Sequence, residues 1–113
     1  MRSWLLFGLL VAACSKGPQA DLASIGEARS LAAEWALVNE QAAKGQITPV
    51  YAETMRERLR EELQTDLRSL NQPQSRYGAE IRALLALPDD ASPAILRAHA
   101  RALKQVEDNL ESA

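Results

Sequence analysis

Five prolines divide this 113-residue chain, and each falls where a helix would begin or stop rather than where one would run. Proline lacks a backbone N–H and its ring clashes with the carbonyl four residues earlier, so helices accept it in their first turn and exclude it from their interior. Pro49 and Pro93 each follow a residue suited to capping, Thr48 and Ser92, whereas Pro18, Pro73 and Pro88 stand in short polar stretches. Between these breaks alanine, leucine, glutamate and arginine dominate, and those are strong helix formers. Local preference and punctuation agree on an all-α chain.

The apolar spacing says how the helices pack. Ala28, Leu31, Trp35, Val38 and Ala42 recur at intervals of 3, 4, 3 and 4, which is one stripe on a helix that docks through Trp35. Ser24 with Glu27 three residues on has the pattern of a capping box and predicts the start of this helix, with an earlier start at Asp21 as the alternative. Glu40 and Lys44 form a favourable i,i+4 pair off the stripe. In Lys44-Gly45-Gln46-Ile47-Thr48-Pro49, Gly45 can take the left-handed conformation that closes one helix, and Thr48 and Pro49 open the next. So short a connection makes the two helices antiparallel neighbours.

The second helix carries a row of Met55, Leu59, Leu63, Leu67 and Leu70. Arg56, Arg60 and Arg68 alternate there with acidic residues, a pattern read as a solvated face rather than an anion site. Pro73 ends this helix, and Ser75 caps a shorter one whose Tyr77, Ile81, Leu84, Leu85 and Leu87 make it the most buried segment by pattern. After Pro88-Asp89-Asp90-Ala91, Ser92 and Pro93 open the last helix, with Leu96, His99, Leu103, Val106 and Leu110 again at 3, 4, 3 and 4. The prediction is a small antiparallel bundle of about four helices, roughly 22–44, 49–70, 76–87 and 93–111, in one domain over residues 22–113.

Chemistry-bearing constellations are scarce. His99, the single histidine, is read as a seam-edge residue hydrogen-bonded to a neighbouring helix, the alternative being a pH switch near its reference pKa of about 6.5. Metal binding would need partners, and there is no second histidine. Ser24, Thr48, Ser75 and Ser92 are accounted for as caps, which leaves His99 no nucleophile. Glu61-Glu62 point apart on a helix, and Asp89-Asp90 lie in a solvated turn. A net charge of −2 without Lys/Arg clusters is unlike a nucleic-acid binder or a surface for anionic lipid. The expectation is no catalytic residue, no cofactor, no metal and no nucleic-acid partner: a protein that is not an enzyme.

The beginning of the chain carries an address. Arg2 precedes an apolar run from Trp4, and Leu9-Leu10-Val11-Ala12-Ala13-Cys14-Ser15 follows, with the only cysteine near its end. A positive start, an apolar core and small residues at the cut are the anatomy of a secretory signal. The run from Trp4 to Ala13 is ten residues, against about 20 needed to span a bilayer. The stretch resembles the lipobox of bacterial lipoproteins. That resemblance implies cleavage before Cys14, acylation of its thiol and usually of its freed amine, and a firm hold on the membrane, since two or more chains anchor stably. It divides the chain into a signal peptide, 1–13, a lipidated Cys14 with a tether to residue 21, and the helical domain. Ser15, where Asp is absent, matches lipoproteins sent on to the outer membrane, so the expected location is the periplasmic face of the cell envelope. Ordinary secretion that leaves Cys14 as a free thiol is the alternative.

A second, local resemblance lies in Lys44-Gly45-Gln46-Ile47-Thr48, followed by Tyr51, Leu59 and Leu63, which is similar to the helical hairpin called the SHOCT domain. It implies a tendency to oligomerise. Size and architecture together resemble pilotins, small helical lipoproteins that escort outer-membrane subunits. The functional expectation is a membrane-tethered, non-catalytic interaction module that binds an envelope protein. The alternatives are a structural oligomer, in which the seams of the first and last helices pair across copies, and a pilotin-like chaperone.

Overall fold

Four α-helices and one 3₁₀ turn make up residues 17–113, the part of the chain that the computed structural model describes. The turn is Pro18–Asp21; the helices are α1 Leu22–Ala43, α2 Pro49–Ser69, α3 Arg76–Leu85 and α4 Pro93–Glu111. Cys14 and its expected cleavage site lie outside the described residues.

Three helices begin as their sequences dictate. Thr48, Ser75 and Ser92 hold extended backbone, and each side-chain oxygen accepts the amide three residues on, from Tyr51 at 3.1 Å, Gly78 at 3.2 Å and Ile95 at 3.2 Å. Such a bond satisfies one of the amides that a helix start leaves without a partner. Gly45 closes α1 with φ +70°. Its amide bonds to Ala42 O at 3.1 Å and that of Gln46 to Gln41 O at 2.9 Å, the paired bonds of a Schellman ending that only a left-handed residue permits.

Helix α1 starts at the earlier of the two expected places, with Asp21 at its cap, and not at the Ser24 capping box. Ser24 lies inside α1, and the helix follows directly from the 3₁₀ turn, within the stretch read as tether. Asp21 stands at the capping position, yet its carboxylate caps nothing in its own helix. It is buried at 1% exposure and reaches across the bundle instead. Its oxygens accept from the amides of Asn71 at 2.7 Å and Gln72 at 3.1 Å and from the Tyr77 hydroxyl at 2.6 Å. Burial, reinforced by the bond to Asp21, pushes the Tyr77 hydroxyl pKa up to about 12.

Paired residues give the direction of packing. Along α1, Glu34 and Asn39 meet Arg58 and Arg56 of α2, so the numbers rise in one helix as they fall in the other. Likewise Arg29 and Glu40 meet Glu107 and Arg97 of α4, at 2.8 and 3.1 Å. Helix α1 therefore runs antiparallel to both neighbours, and it is the centre of the bundle. That corrects the reading of the third helix as the most buried: α3 ends at Leu85, and Leu85 and Leu87 are only partly covered. A helix flanked on two sides buries a wide arc, and in α1 Ile25, Ala28, Ala32, Trp35 and Ala36 are all fully covered. Leu59 and Leu63 of α2, Ile81 and Leu84 of α3, and Leu96 and Leu103 of α4 complete the core. The seams of α1 and α4 thus face each other within one chain.

Backbone approach is closest where α3 starts. A methyl group at Gly78 would lie 2.2 Å from Pro73 O, so the turn before α3 closes only over glycine.

Candidate functional site

Trp35, Asn39 and Ala42 lie along one flank of α1, facing Arg56 and Arg60 one turn apart on α2. Together they organise the end of the bundle at the α1–α2 turn. The Trp35 indole is fully buried, and its Nε1 donates to Asp89 O at 3.0 Å. Asn39 Nδ2 donates to the same carbonyl at 3.0 Å and to Ala91 O at 2.7 Å, while its Oδ1 accepts from Arg56 Nε at 2.8 Å. Arg60 lies over the Trp35 ring, 4.7 Å from its centre. Its Nε donates to Asp89 Oδ1 at 2.7 Å, Nη1 to Leu85 O at 3.0 Å, and Nη2 to Leu87 O.

This corrects the reading of the α2 arginines as one solvated face. Arg68 is exposed and Arg58 pairs with Glu34 at 3.4 Å, but Arg60 collects the carbonyls that the end of α3 leaves unpaired. A planar guanidinium with five donors can hold several acceptors and still stack on an aromatic face, which a lysine could not do. The loop from Ala86 to Ser92 is thereby fastened to α1 and α2.

Beside this fastening the surface is open. Arg56 borders two clefts of about 350 and 320 Å³, both also lined by Ala42. Glu53 and Asp89 stand in the first and Asp90 in the second. Ile47, in the turn, lines the first cleft and also a third of about 180 Å³, whose wall is Leu37, Val38, Tyr51 and Met55 with Glu34 and Gln41 at its edge. Among the described residues, the large exposed apolar side chains are Leu37 at 48%, Val50 at 74%, Tyr51 at 54% and Ile95 at 48%. Leu37 is near the end of α1, Val50 and Tyr51 open α2, and Ile95 opens the antiparallel α4, so all four share one end of the bundle. Gly17 lies at the opposite end, roughly 30 Å away along α1 at 1.5 Å per residue.

The remaining candidates are placed elsewhere. His99 is a partly covered residue at the edge of the α4 seam, and its Nδ1 meets the Glu80 carboxylate of α3. This is the neighbouring-helix bond expected of it. Among the described residues no group of three or more His, Cys, Asp or Glu side chains is placed to hold a metal ion, and no helix is long and apolar enough to cross a membrane. Sequence reasoning missed the Asn39–Arg56 and Arg60–Asp89 contacts, and the only signal for them was that Asn39 continues the flank begun by Trp35. Compared with protein-family models, curated proteins and solved structures, the chain matches none.

Proposed function

We propose that this protein is a non-catalytic interaction module, tethered through acylated Cys14 to the periplasmic face of the cell envelope, the outer membrane in preference. In this reading the end of the bundle at the α1–α2 turn presents a docking surface to an amphipathic helix of an envelope protein. The observation that carries it is the gathering of Leu37, Val50, Tyr51 and Ile95 at the end remote from Gly17, where the tether would enter. A lipid-held domain would have its near end occupied by the membrane, leaving the far end to meet partners.

The surface has the composition of an interface, with an apolar centre and charged residues around it. Leu37, Ile47, Tyr51 and Met55 offer a shallow cleft bordered by Glu34, which pairs with Arg58, and Ile47 joins it to the neighbouring cleft of Glu53 and Arg56, so both signs are present. An amphipathic helix suits such a groove because anchors at i, i+3, i+4 and i+7 form a ridge of matching width. Helix packing against helix also needs no exposed backbone pairing.

The test uses the full-length protein in its native membranes, with a photo-crosslinking residue at position 51 in one variant and at position 101 in another. A discrete adduct from position 51, absent from 101 and abolished by Leu37→Glu, is the expected result. Equal labelling from both positions would overturn the docking surface. An adduct of twice the protein's own mass would assign the surface to a second copy, as the likeness to oligomerising hairpins would have it. Acylation is tested separately: Cys14→Ser should abolish palmitate incorporation and release the protein from the membrane.

A further inference from the structure

At the end where α1 begins, two carboxylates are buried in opposite circumstances. Asp21 has three hydrogen-bond donors. Asp66, on the last turns of α2, is 4% exposed, and its Oδ2 has no partner. The groups set against it are Glu27 of α1 and Glu62, one turn earlier on α2, both acids. Helix α3, the other helix packed on α2, turns its charges elsewhere: Arg82 to Pro73 O at 2.7 Å, Glu80 to His99, and Arg76 toward α4.

An ionised carboxylate is poorly placed here, because burial removes its water and the nearest charges repel it. A protonated carboxyl is well placed, because its O–H can donate to a Glu27 oxygen in a charge-assisted bond. The same features raise the Asp66 pKa to about 7, burial first, then Glu27, then Glu62.

We propose that buried Asp66 keeps a proton, which it donates to Glu27 across the α1–α2 seam, and that losing it loosens the last turn of α2 and the loop that follows, making this end of the bundle a pH-operated latch. The folded chain holds this proton more tightly than an unfolded chain, whose aspartates titrate near about 3.9. Its stabilising contribution is therefore complete below that value and is lost as the pH rises through about 7. Residues 70–75 are affected because Asn71 and Gln72 hang from the Asp21 carboxylate immediately after the α2 turn that carries Asp66.

The test is carbon NMR of the Asp66 carboxyl between about pH 4 and about pH 9, with amide exchange and thermal unfolding over the same range. Expected are a midpoint near 7, a loss of protection relative to the intrinsic exchange rate that is confined to residues 66–75 as the pH rises, and a falling Tm. Asp66→Asn should flatten the Tm profile and remove the pH-dependent exchange; Glu27→Gln should shift the midpoint down. A midpoint in the ordinary aspartate range, or an unchanged Tm profile in Asp66→Asn, would overturn the proposal. Should Asp66→Asn fail to fold, the wild-type midpoint and the location of the exchange decide.

Discussion

The two ends of this bundle treat their apolar groups in opposite ways. At the end where α1 begins, Asp21 takes in the amides of the α2–α3 loop and the Tyr77 hydroxyl, Gly78 admits the Pro73 carbonyl, and no large apolar side chain among the described residues is exposed. At the end with the α1–α2 turn, polar groups are also used below the surface, where Trp35, Asn39 and Arg60 fasten the α3–α4 loop. Above them, however, Leu37, Val50 and Tyr51 are left in solvent. Scattered exposed apolar residues are ordinary on a small domain, whereas a group of them at one place asks for an occupant. The difference separates residues that hold the fold from residues that the fold leaves uncovered.

The contrast can be broken by mutation, beginning with the largest effect. Trp35→Ala removes a fully buried indole together with its bond to Asp89 and the face under Arg60. It should cost about 3–5 kcal/mol, measured by urea unfolding, and in a domain this small that is a large share of the total. Any loss of binding in Trp35→Ala should therefore follow from unfolding. Asp21→Ala leaves two loop amides and a buried hydroxyl without their acceptor and should cost about 2–3 kcal/mol by the same measurement. A loss under half a kilocalorie would show that the loop is held by packing alone.

Gly78→Ala forces a methyl group against Pro73 O and should destabilise by about 1–3 kcal/mol, with amide exchange rising first in the α2–α3 loop. Smallest in stability are Tyr51→Ala and Val50→Asp, which should stay within about 0.5 kcal/mol because neither side chain is packed in the core. Val50→Asp should also abolish the crosslink from position 51. If the two substitutions unfold the domain instead, the two ends are not distinct in kind.

Much of the architecture was legible because its signals are local. Thr48, Ser75 and Ser92 cap helices through bonds to amides three residues away, so pattern and partner are visible together. Gly45 likewise needed only the chain on either side of it. Ser24 misled because it had the same local pattern while Asp21, just before it, found stronger partners across the bundle. His99 was placed well, since one polar residue in an apolar row must sit at its edge or find a bond. Arg56 and Arg60 were illegible: Arg60 meets carbonyls at Leu85 and Leu87, and nothing near Arg60 in the chain announces them.

The amino-acid order alone determined that the chain is all-α, where most helices start and stop, and which stripe of each is apolar. These follow from backbone sterics and from 3.6-residue periodicity, which act within a few positions. Only the folded molecule decided that α1 lies at the centre, that Asp21 is spent on the α2–α3 loop while Asp66 has an oxygen without a partner, and that the uncovered apolar residues lie toward one end. Those outcomes depend on which surfaces meet across the chain, 54 residues apart for Trp35 and Asp89 and 50 for Asp21 and Asn71, and burial sets the strength of each contact only after the helices have come together.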